Sequence, residues 1–452
     1  MKNEIEVLKF GGTSVGTPSA IKQTSEIVSA LDTRAVIVVS AFCGVTDKLS
    51  EICRLLTNQR YDKAIKLSNE IFELHSEYSI SMGVVQCIPF LKEILDYQLH
   101  LVSAVKTLNE ISDKTKDSIL SCGELMSSKI IAEYYNSIIG NTVWLDSREI
   151  IKTNSEYTNA EVDYDKSKAL CDNVISELFS KDTKYIVCGG FIGSDSDGFT
   201  TTIGRGGSDH TAAIIAMGIN ANILKIYTDV TGIKTTDPRL IPTARTIKSL
   251  SYDEAFELAE SGAKVLHPKT ILPALKAGIA VHVLNTNEPD AGGTVITTNL
   301  SQTGFASAIA VKNTLINISL IPQKTNSGIL KRAIELIDNY NIEMEALSYT
   351  KNSLSITLQK NLFVNELIEE FERFGELIVS DSATALTIVG CYIWSGNGLI
   401  AEIFALLDKH HTNVINHYIS KNSIKLLVPT ESSLSTLELL HNEIILKNVN
   451  FE

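Results

Sequence analysis

No run of apolar residues in this chain reaches the length of a membrane-spanning helix. Nor does the N-terminus carry the basic and apolar signature of a secretory signal; Met1-Lys2-Asn3-Glu4 leads at once into a strand-like segment. The seven cysteines are scattered, odd in number and free of any C-x-x-C pair, which argues against a disulfide framework or a structural zinc site. An excess of positive charge is also missing. The formal net charge is -13, which suits neither a nucleic-acid backbone nor an anionic membrane surface. A cytoplasmic protein is expected, with no nucleic-acid or membrane partner. Any anionic ligand must be held by local positive groups.

What is present is a long chain with ample apolar content. At 452 residues, 44% of them hydrophobic, two or three domains are expected. Residues 5–10 (IEVLKF) read as a strand. Gly11-Gly12, a helix from about Pro18 to Leu31, and the β-branched run 35–41 (AVIVVSA) follow. Strand, glycine turn, helix and buried strand together make a βαβ signature. Residues 48–135 carry Leu, Ile, Glu and Lys at helical spacing and read as a helical subregion. Strand patterns return at 142–146, 185–193, 223–230 and 280–285, with helices at 208–217 and 252–260 between them. The fold class expected is α/β, an open sandwich with a mainly parallel sheet. Such sheets place ligands beyond the carboxyl ends of their strands, where Gly11-Gly12, Gly44 and Gly189-Gly190 fall.

A stretch rich in Thr, Asn and Gly, 286–306, marks a boundary. Beyond it the chain repeats itself. Gly328 and Gly398, Asp338 and Asp408, and Lys351-Asn352-Ser353 and Lys421-Asn422-Ser423 match at one offset of 70 residues. Each copy reads as a βαββ unit, so the C-terminal region is expected to be a ferredoxin-like pair. The domains expected are 1–290, a linker 291–312, and repeat units 313–384 and 385–452.

Five segments carry candidate chemistry. Lys9-Phe10-Gly11-Gly12 lacks the Walker A spacing. Glycines that expose backbone N–H groups beside a lysine still suit a phosphate; a tight turn with a lysine tail is the alternative. Gly204-Arg205-Gly206-Gly207-Ser208-Asp209 opens a helix, which is an anion site by geometry and dipole. Its Arg205 can grip a carboxylate by two bonds, while Asp209 alone would pass for a helix-capping acid. In Ser121-Cys122-Gly123-Glu124, the acid is either a cap or a ligand-binding group. Tyr227-Thr228-Asp229 with Thr235-Thr236-Asp237-Pro238-Arg239 makes a polar loop after a strand. Gly262-Ala263-Lys264 and His267 form the fifth segment, in which His267 reads as structural.

Together KFGGTSVG (9–16), SAFCGVT (40–46), SCGELMS (121–127), GFIGSDSDGFTTTIGRGGSDHTA (190–212), YTDVTGIKTTDPR (227–239) and GAKVLHP (262–268) resemble the aspartate kinase family of the amino-acid kinase superfamily, in order and spacing. The resemblance covers the whole chain and is closest to the monofunctional, lysine-sensitive type, with the repeat resembling a pair of ACT domains. It implies transfer of the γ-phosphoryl group of ATP to the side-chain carboxylate of L-aspartate, opening the pathway to lysine, threonine and methionine. Mg²⁺ is implied too, held mainly by the nucleotide phosphates, with no metal-ligating set supplied by the protein.

Roles then follow by residue. Lys9, Arg205 and Asp209 are the catalytic set. Thr46, Glu124, Phe191, Arg205, Gly206, Gly207, Ser208 and Asp209 bind the acceptor. Lys9, Gly11, Gly12, Thr228, Asp229, Lys234, Arg239 and Lys264 bind ATP. An amino-acid effector, lysine first, is implied at Asn326, Ser327, Ile329, Leu330, Met344, Glu345, Tyr349 and Thr350. The chain departs from the family at Lys234, where an aromatic residue is frequent, and at Lys351, where an acid is usual. A homodimer, or a dimer of dimers, is implied. Kinases of the same superfamily acting on acetylglutamate, glutamate or UMP are the sibling alternatives, and a non-catalytic amino-acid sensor is the alternative of another class.

Overall fold

The computed structural model describes residues 4–204, 206–263, 268–298, 305–322, 328–360, 364–393 and 398–448. The chain forms two compact units. Unit 1 takes Met1–Ile233 and Leu266–Thr298, and unit 2 takes Lys234–Val265 and Asn299–Glu452.

In chain order, unit 1 begins with β1 (Ile5–Phe10), α1 (Pro18–Ser29) and β2 (Arg34–Val39). Helices α2 (Val45–Thr57), α3 (Tyr61–Ser81), α4 (Ile88–Leu108), α5 (Asp113–Leu120) and α6 (Cys122–Ile139) follow. Then come β3 (Thr142–Leu145), α7 (Tyr164–Ser180), β4 (Tyr185–Gly189), β5 (Ile192–Ser194), β6 (Thr200–Thr202), α8 (Gly207–Gly218) and β7 (Ile223–Thr228). Unit 2 interrupts with β8 (Ser249–Ser251) and α9 (Tyr252–Glu260), after which unit 1 closes with α10 (Pro268–Ala277), β9 (Ala280–Asn285) and β10 (Thr294–Thr297).

The sheet of unit 1 runs β3-β4-β2-β1-β7-β9-β10. All its pairings are parallel except that of β9 with β10. Strands buried on both faces read as continuous apolar runs, which is why AVIVV and YIVCG stood out in the sequence. Leu8, Phe10, Ile37 and Val39 enter one core with Leu49, Ile71, Leu91 and Ile130 of the helical subregion. Each such burial stabilises by about 1.5–3 kcal/mol. Because the strands are parallel, the carboxyl ends of β1, β2, β4, β7 and β9 share one edge.

Unit 2 continues with β11 (Ala308–Pro322), α11 (Gly328–Asn339), β12 (Met344–Thr350), β13 (Ser353–Gln359), α12 (Val364–Glu372), β14 (Gly375–Val389), α13 (Leu399–Lys409), β15 (Asn416–Ile419), β16 (Ser423–Pro429) and α14 (Ser433–Leu440). These strands form an antiparallel sheet in the order β12-β13-β11-β14-β16-β15. It reads as two ferredoxin-like modules that share the long strands β11 and β14. One module packs Ile316, Ile318 and Leu354 against α11 and α12; the other packs Leu386, Ile424 and Leu426 against α13 and α14. On the remaining side of the sheet, polar side chains of β13 and β15 meet beside a small apolar cluster of Leu315, Ala383, Ala385 and Leu427. Asn416 Nδ2 donates to Ser355 Oγ at 2.9 Å, and Thr357 Oγ1 lies 3.1 Å from Tyr418 OH.

Two boundaries differ from those expected. Within the stretch 291–312, residues 294–297 form β10 and 308–312 begin β11, which pairs with the end of β14. Residues 234–265, expected in the first domain, cluster with the second unit. Local composition cannot reveal either, since each is decided by pairing partners distant in sequence.

Candidate active site

Lys9 is the next-to-last residue of β1, one residue before the parallel pairing stops at Phe10. Its Nζ lies 2.6 Å from Asp209 Oδ1, with the two side chains 12% and 16% exposed. Asp209 sits in the first turn of α8, whose entry is Gly206 at φ 74, a left-handed conformation that glycine adopts without strain. No side chain caps that helix, so its N–H groups and dipole are left for an anion. A Cβ on Gly190 would stand 2.5 Å from Ser208 Cα, so only glycine lets the end of β4 meet α8 this closely. Phe191 follows at φ 67, its N–H donating to Thr211 Oγ1 at 3.0 Å. These contacts bring Gly206, Gly207, Ser208, Asp209 and Phe191 together. Arg205 lies outside the described residues.

Glu124 occupies the first turn of α6 and is buried. Ala41 N–H donates to its Oε1 at 3.3 Å, while Oε2 is buried without a hydrogen-bond partner. Burial lifts this carboxyl from near 4.5 to about 8, with the Ala41 N–H opposing the shift. The same segment links the acid to α8: Ser40 Oγ donates to Ser208 Oγ at 3.0 Å, and Ser127 Oγ donates to the Ser40 carbonyl at 3.0 Å. Thr46 is exposed on the first turn of α2, which follows from the same strand. Gly11 is half-buried, and a Cβ there would lie 3.4 Å from Lys9 Nζ. A Cβ on Gly12 would lie 3.1 Å from the Ala41 carbonyl. The glycine turn thus packs against both the lysine and the Glu124 segment.

Thr228 and Asp229 end β7 on the same edge, and Thr228 Oγ1 donates to Asp229 Oδ1 at 3.0 Å. The Thr228 carbonyl accepts from Thr286 N–H at 2.9 Å, and Thr286 Oγ1 lies 2.6 Å from Ser14 Oγ. Ser14, Ser40 and Ser127 fall inside the sequence motifs but received no role of their own, and Thr286 was not singled out, because a lone serine or threonine carries no distinguishing pattern. Lys234 and Arg239 belong to unit 2. Lys234 Nζ donates to Thr246 Oγ1 at 2.7 Å, and Arg239 pairs with Asp237 at 2.6 Å while its side chain is 75% exposed. Lys264 and His267 lie outside the described residues.

The effector residues fare differently. Asn326 and Ser327 lie outside the described residues. Ile329 is buried in the core under α11, against which Leu330 also packs. Met344 and Tyr349 are exposed, and Thr350 Oγ1 lies 2.8 Å from Ser353 Oγ in its own hairpin. Glu345, expected to accept an ammonium, already has two. Lys312 Nζ lies 2.6 Å from it, and Lys425 Nζ contacts its other oxygen. A register shift between Met344 and Ala346 at Glu345 marks a bulge, and such a bulge can turn a side chain across the sheet.

A model of the amino acid kinase family matches residues 4–285. The chain belongs to the amino acid kinase family. Among its relatives, the aspartokinase of Chlamydia trachomatis is 30% identical over 96% of this chain and 97% of its own length. The crystal structure of Escherichia coli aspartokinase III in complex with aspartate and ADP, its R-state, covers 97% of this chain and 99% of its own at 28% identity, with a TM-score of 0.75. The T-state of the same enzyme, in complex with lysine and aspartate, gives a TM-score of 0.79 with the same identity and coverage. This amino acid kinase is therefore a phosphotransferase of the aspartokinase group, with a carboxyl acceptor. Among the described residues no helix is long and apolar enough to cross a membrane.

Proposed function

We propose that this kinase transfers the γ-phosphoryl group of ATP to the β-carboxylate of L-aspartate, yielding ADP and 4-phospho-L-aspartate. The observation that carries the reading is the pairing of opposite needs on one sheet edge. Lys9, beside a glycine turn, offers a cation to a phosphoryl group, while Glu124 keeps a buried oxygen without a partner. An amino dicarboxylate has an ammonium for the second and a nucleophilic carboxylate for transfer. That carboxylate is already ionised at neutral pH, so no base is required. Positioning and charge neutralisation are then the protein's share of the work.

Asp209, paired with Lys9, orients that lysine rather than removing a proton. Mg²⁺ enters with the nucleotide, held by its phosphates and by water, and supplies charge neutralisation there. The glycine turn and the uncapped α8 terminus suit phosphate oxygens and a substrate carboxylate. Thr228 and Asp229 lie toward the nucleotide, and Lys234, Arg239 and Lys264 are proposed to complete its site. Arg205 is proposed to hold the acceptor's α-carboxylate, with Thr46 and Phe191 lining the pocket. The decisive experiment is ATP turnover with trapping of the acyl phosphate by hydroxylamine. Aspartate is expected to give the hydroxamate; glutamate, acetylglutamate and UMP are not. Turnover with one of those and none with aspartate overturns the reading.

The same reading makes the protein a cytoplasmic homodimer, or dimer of dimers, that opens the aspartate pathway to lysine, threonine and methionine. It assigns the C-terminal modules to an amino-acid effector, lysine first. The lysine-bound E. coli structure supports that choice. The two lysines already on Glu345 set the affinity low.

A further inference from the structure

Asp117 lies in α5, seven residues before Glu124, and is fully buried. No ion pair reaches it among the described residues. Its carboxylate instead gathers hydrogen bonds from two distant segments. Thr158 N–H lies 3.0 Å from both oxygens. Thr202 N–H donates to Oδ2 at 2.9 Å, and Thr202 Oγ1 donates to Oδ1 at 2.7 Å.

Both segments lead to the acceptor loop. Thr202 ends β6, two residues before Gly204, from which the chain turns into α8 with Ser208 and Asp209. Thr158 precedes Asn159, whose Oδ1 lies against Gly204. Thr158 itself stands at φ 72, a left-handed conformation that a β-branched residue avoids unless its surroundings impose it. Asp117 imposes it by accepting the Thr158 N–H. On its own side, the Asp117 carbonyl accepts Ser121 N–H at 2.9 Å, fixing the turn from α5 into α6 and Glu124.

We infer that Asp117 is a positioning residue for the acceptor pocket: it sets Glu124, on one side, against Gly204 and the first turn of α8 with Ser208 and Asp209, on the other. A carboxylate is required because all four contacts come from donors; an amide would face two of its own N–H groups toward them. The inference rests on the proposed function only in naming aspartate as the acceptor.

The test compares wild type with Asp117→Asn, Thr202→Val and Thr202→Ser in steady-state assays, varying acceptor and ATP separately. The acceptor is aspartate or, if aspartate fails, whichever carboxylate supports turnover. Failure of the acceptor assignment is thereby read separately from failure of this inference. Asp117→Asn and Thr202→Val are expected to raise KM for the acceptor and lower its kcat/KM by up to about 10²-fold, with KM for ATP nearly unchanged. Thr202→Ser, which keeps the hydroxyl, is expected to behave as wild type. Should Asp117→Asn fail to fold, Thr202→Val decides, since it removes one bond of the set and keeps the backbone contact. Equal changes in both KM values, or wild-type kinetics with only a lowered Tm, would overturn the inference and leave Asp117 a stabilising residue.

Discussion

Burial holds the Glu124 carboxyl protonated until about pH 8, against a value near 4.5 when exposed. Between those limits the folded chain binds a proton that the unfolded chain has lost. The stabilising contribution is therefore complete below pH 4.5 and declines as pH rises toward 8, by up to about 1.4 kcal/mol per pH unit. Glu124→Gln removes the titration, so the ligand-free variant is expected to have a flatter stability curve over this window. Denaturant midpoints at several pH values check it, and parallel curves for the two proteins would contradict the assignment. A bound ammonium reverses the balance by drawing the proton off. Aspartate binding at pH 7 is therefore expected to release a proton, measurable by calorimetry in buffers of different ionisation enthalpy. Lys9 acts on the other substrate. Lys9→Met is expected to lower kcat/KM by about 10²–10³-fold, as loss of one charge-stabilising donor does elsewhere, with the fold intact by circular dichroism. At this scale the sequence singled out Lys9, Glu124 and Asp209 because each sits in a dense motif. It did not reveal Asp117, one of two acids in DKTKDSIL, whose partners lie 41 and 85 residues away.

Elements are where the sequence was most legible, and the reason is periodicity. The expected strand 5–10 and helix 252–260 coincide with β1 and α9, since a two-residue alternation or a 3.6-residue apolar repeat is a local property. What local pattern cannot state is which elements touch. The approach of the segment after β4 to α8 depends on Gly190, with Gly207 close to Phe191 beside it, and nothing in YIVCGG says which of its two glycines is the one that meets α8. Gly190→Ala places a methyl against Ser208 Cα. Relief requires α8 to move, at about 1–3 kcal/mol for an overpacked contact. The movement also separates Asp209 from Lys9. Gly190→Ala is therefore expected to lose both Tm and turnover, whereas Gly198→Ala, with open space around its Cβ and only its φ of 83 to strain, is expected to lose some Tm and keep kcat. Equal loss of turnover in the two variants would mean that the close approach is incidental to the chemistry.

The whole molecule joins a kinase fold to a pair of modules whose polar side chains meet, and Glu345 stands among those contacts. Neither its burial nor its partners could be read from the repeat, because β11, β12 and β16 come together only through the sheet order and the bulge at 345. Its carboxyl is held below the ordinary glutamate value: the Lys312 and Lys425 ammonium groups outweigh its burial. A free lysine seeking that acid must displace an ammonium already tied to the chain, whose effective concentration exceeds that of any free ligand. Wild-type activity is accordingly expected to respond to lysine only at high concentration. Lys425→Met keeps the length and apolar stem of the side chain while removing its charge, and leaves Glu345 to Lys312 alone. If Glu345 belongs to the effector site, lysine should then inhibit at markedly lower concentration, with kcat in its absence unchanged. If the inhibition curve stays where it was, Glu345 is a structural ion pair, and the effector, lysine or another amino acid, is read elsewhere on the modules. Threonine and methionine titrated beside lysine separate those outcomes, because neither carries the side-chain ammonium for which Lys425 stands in.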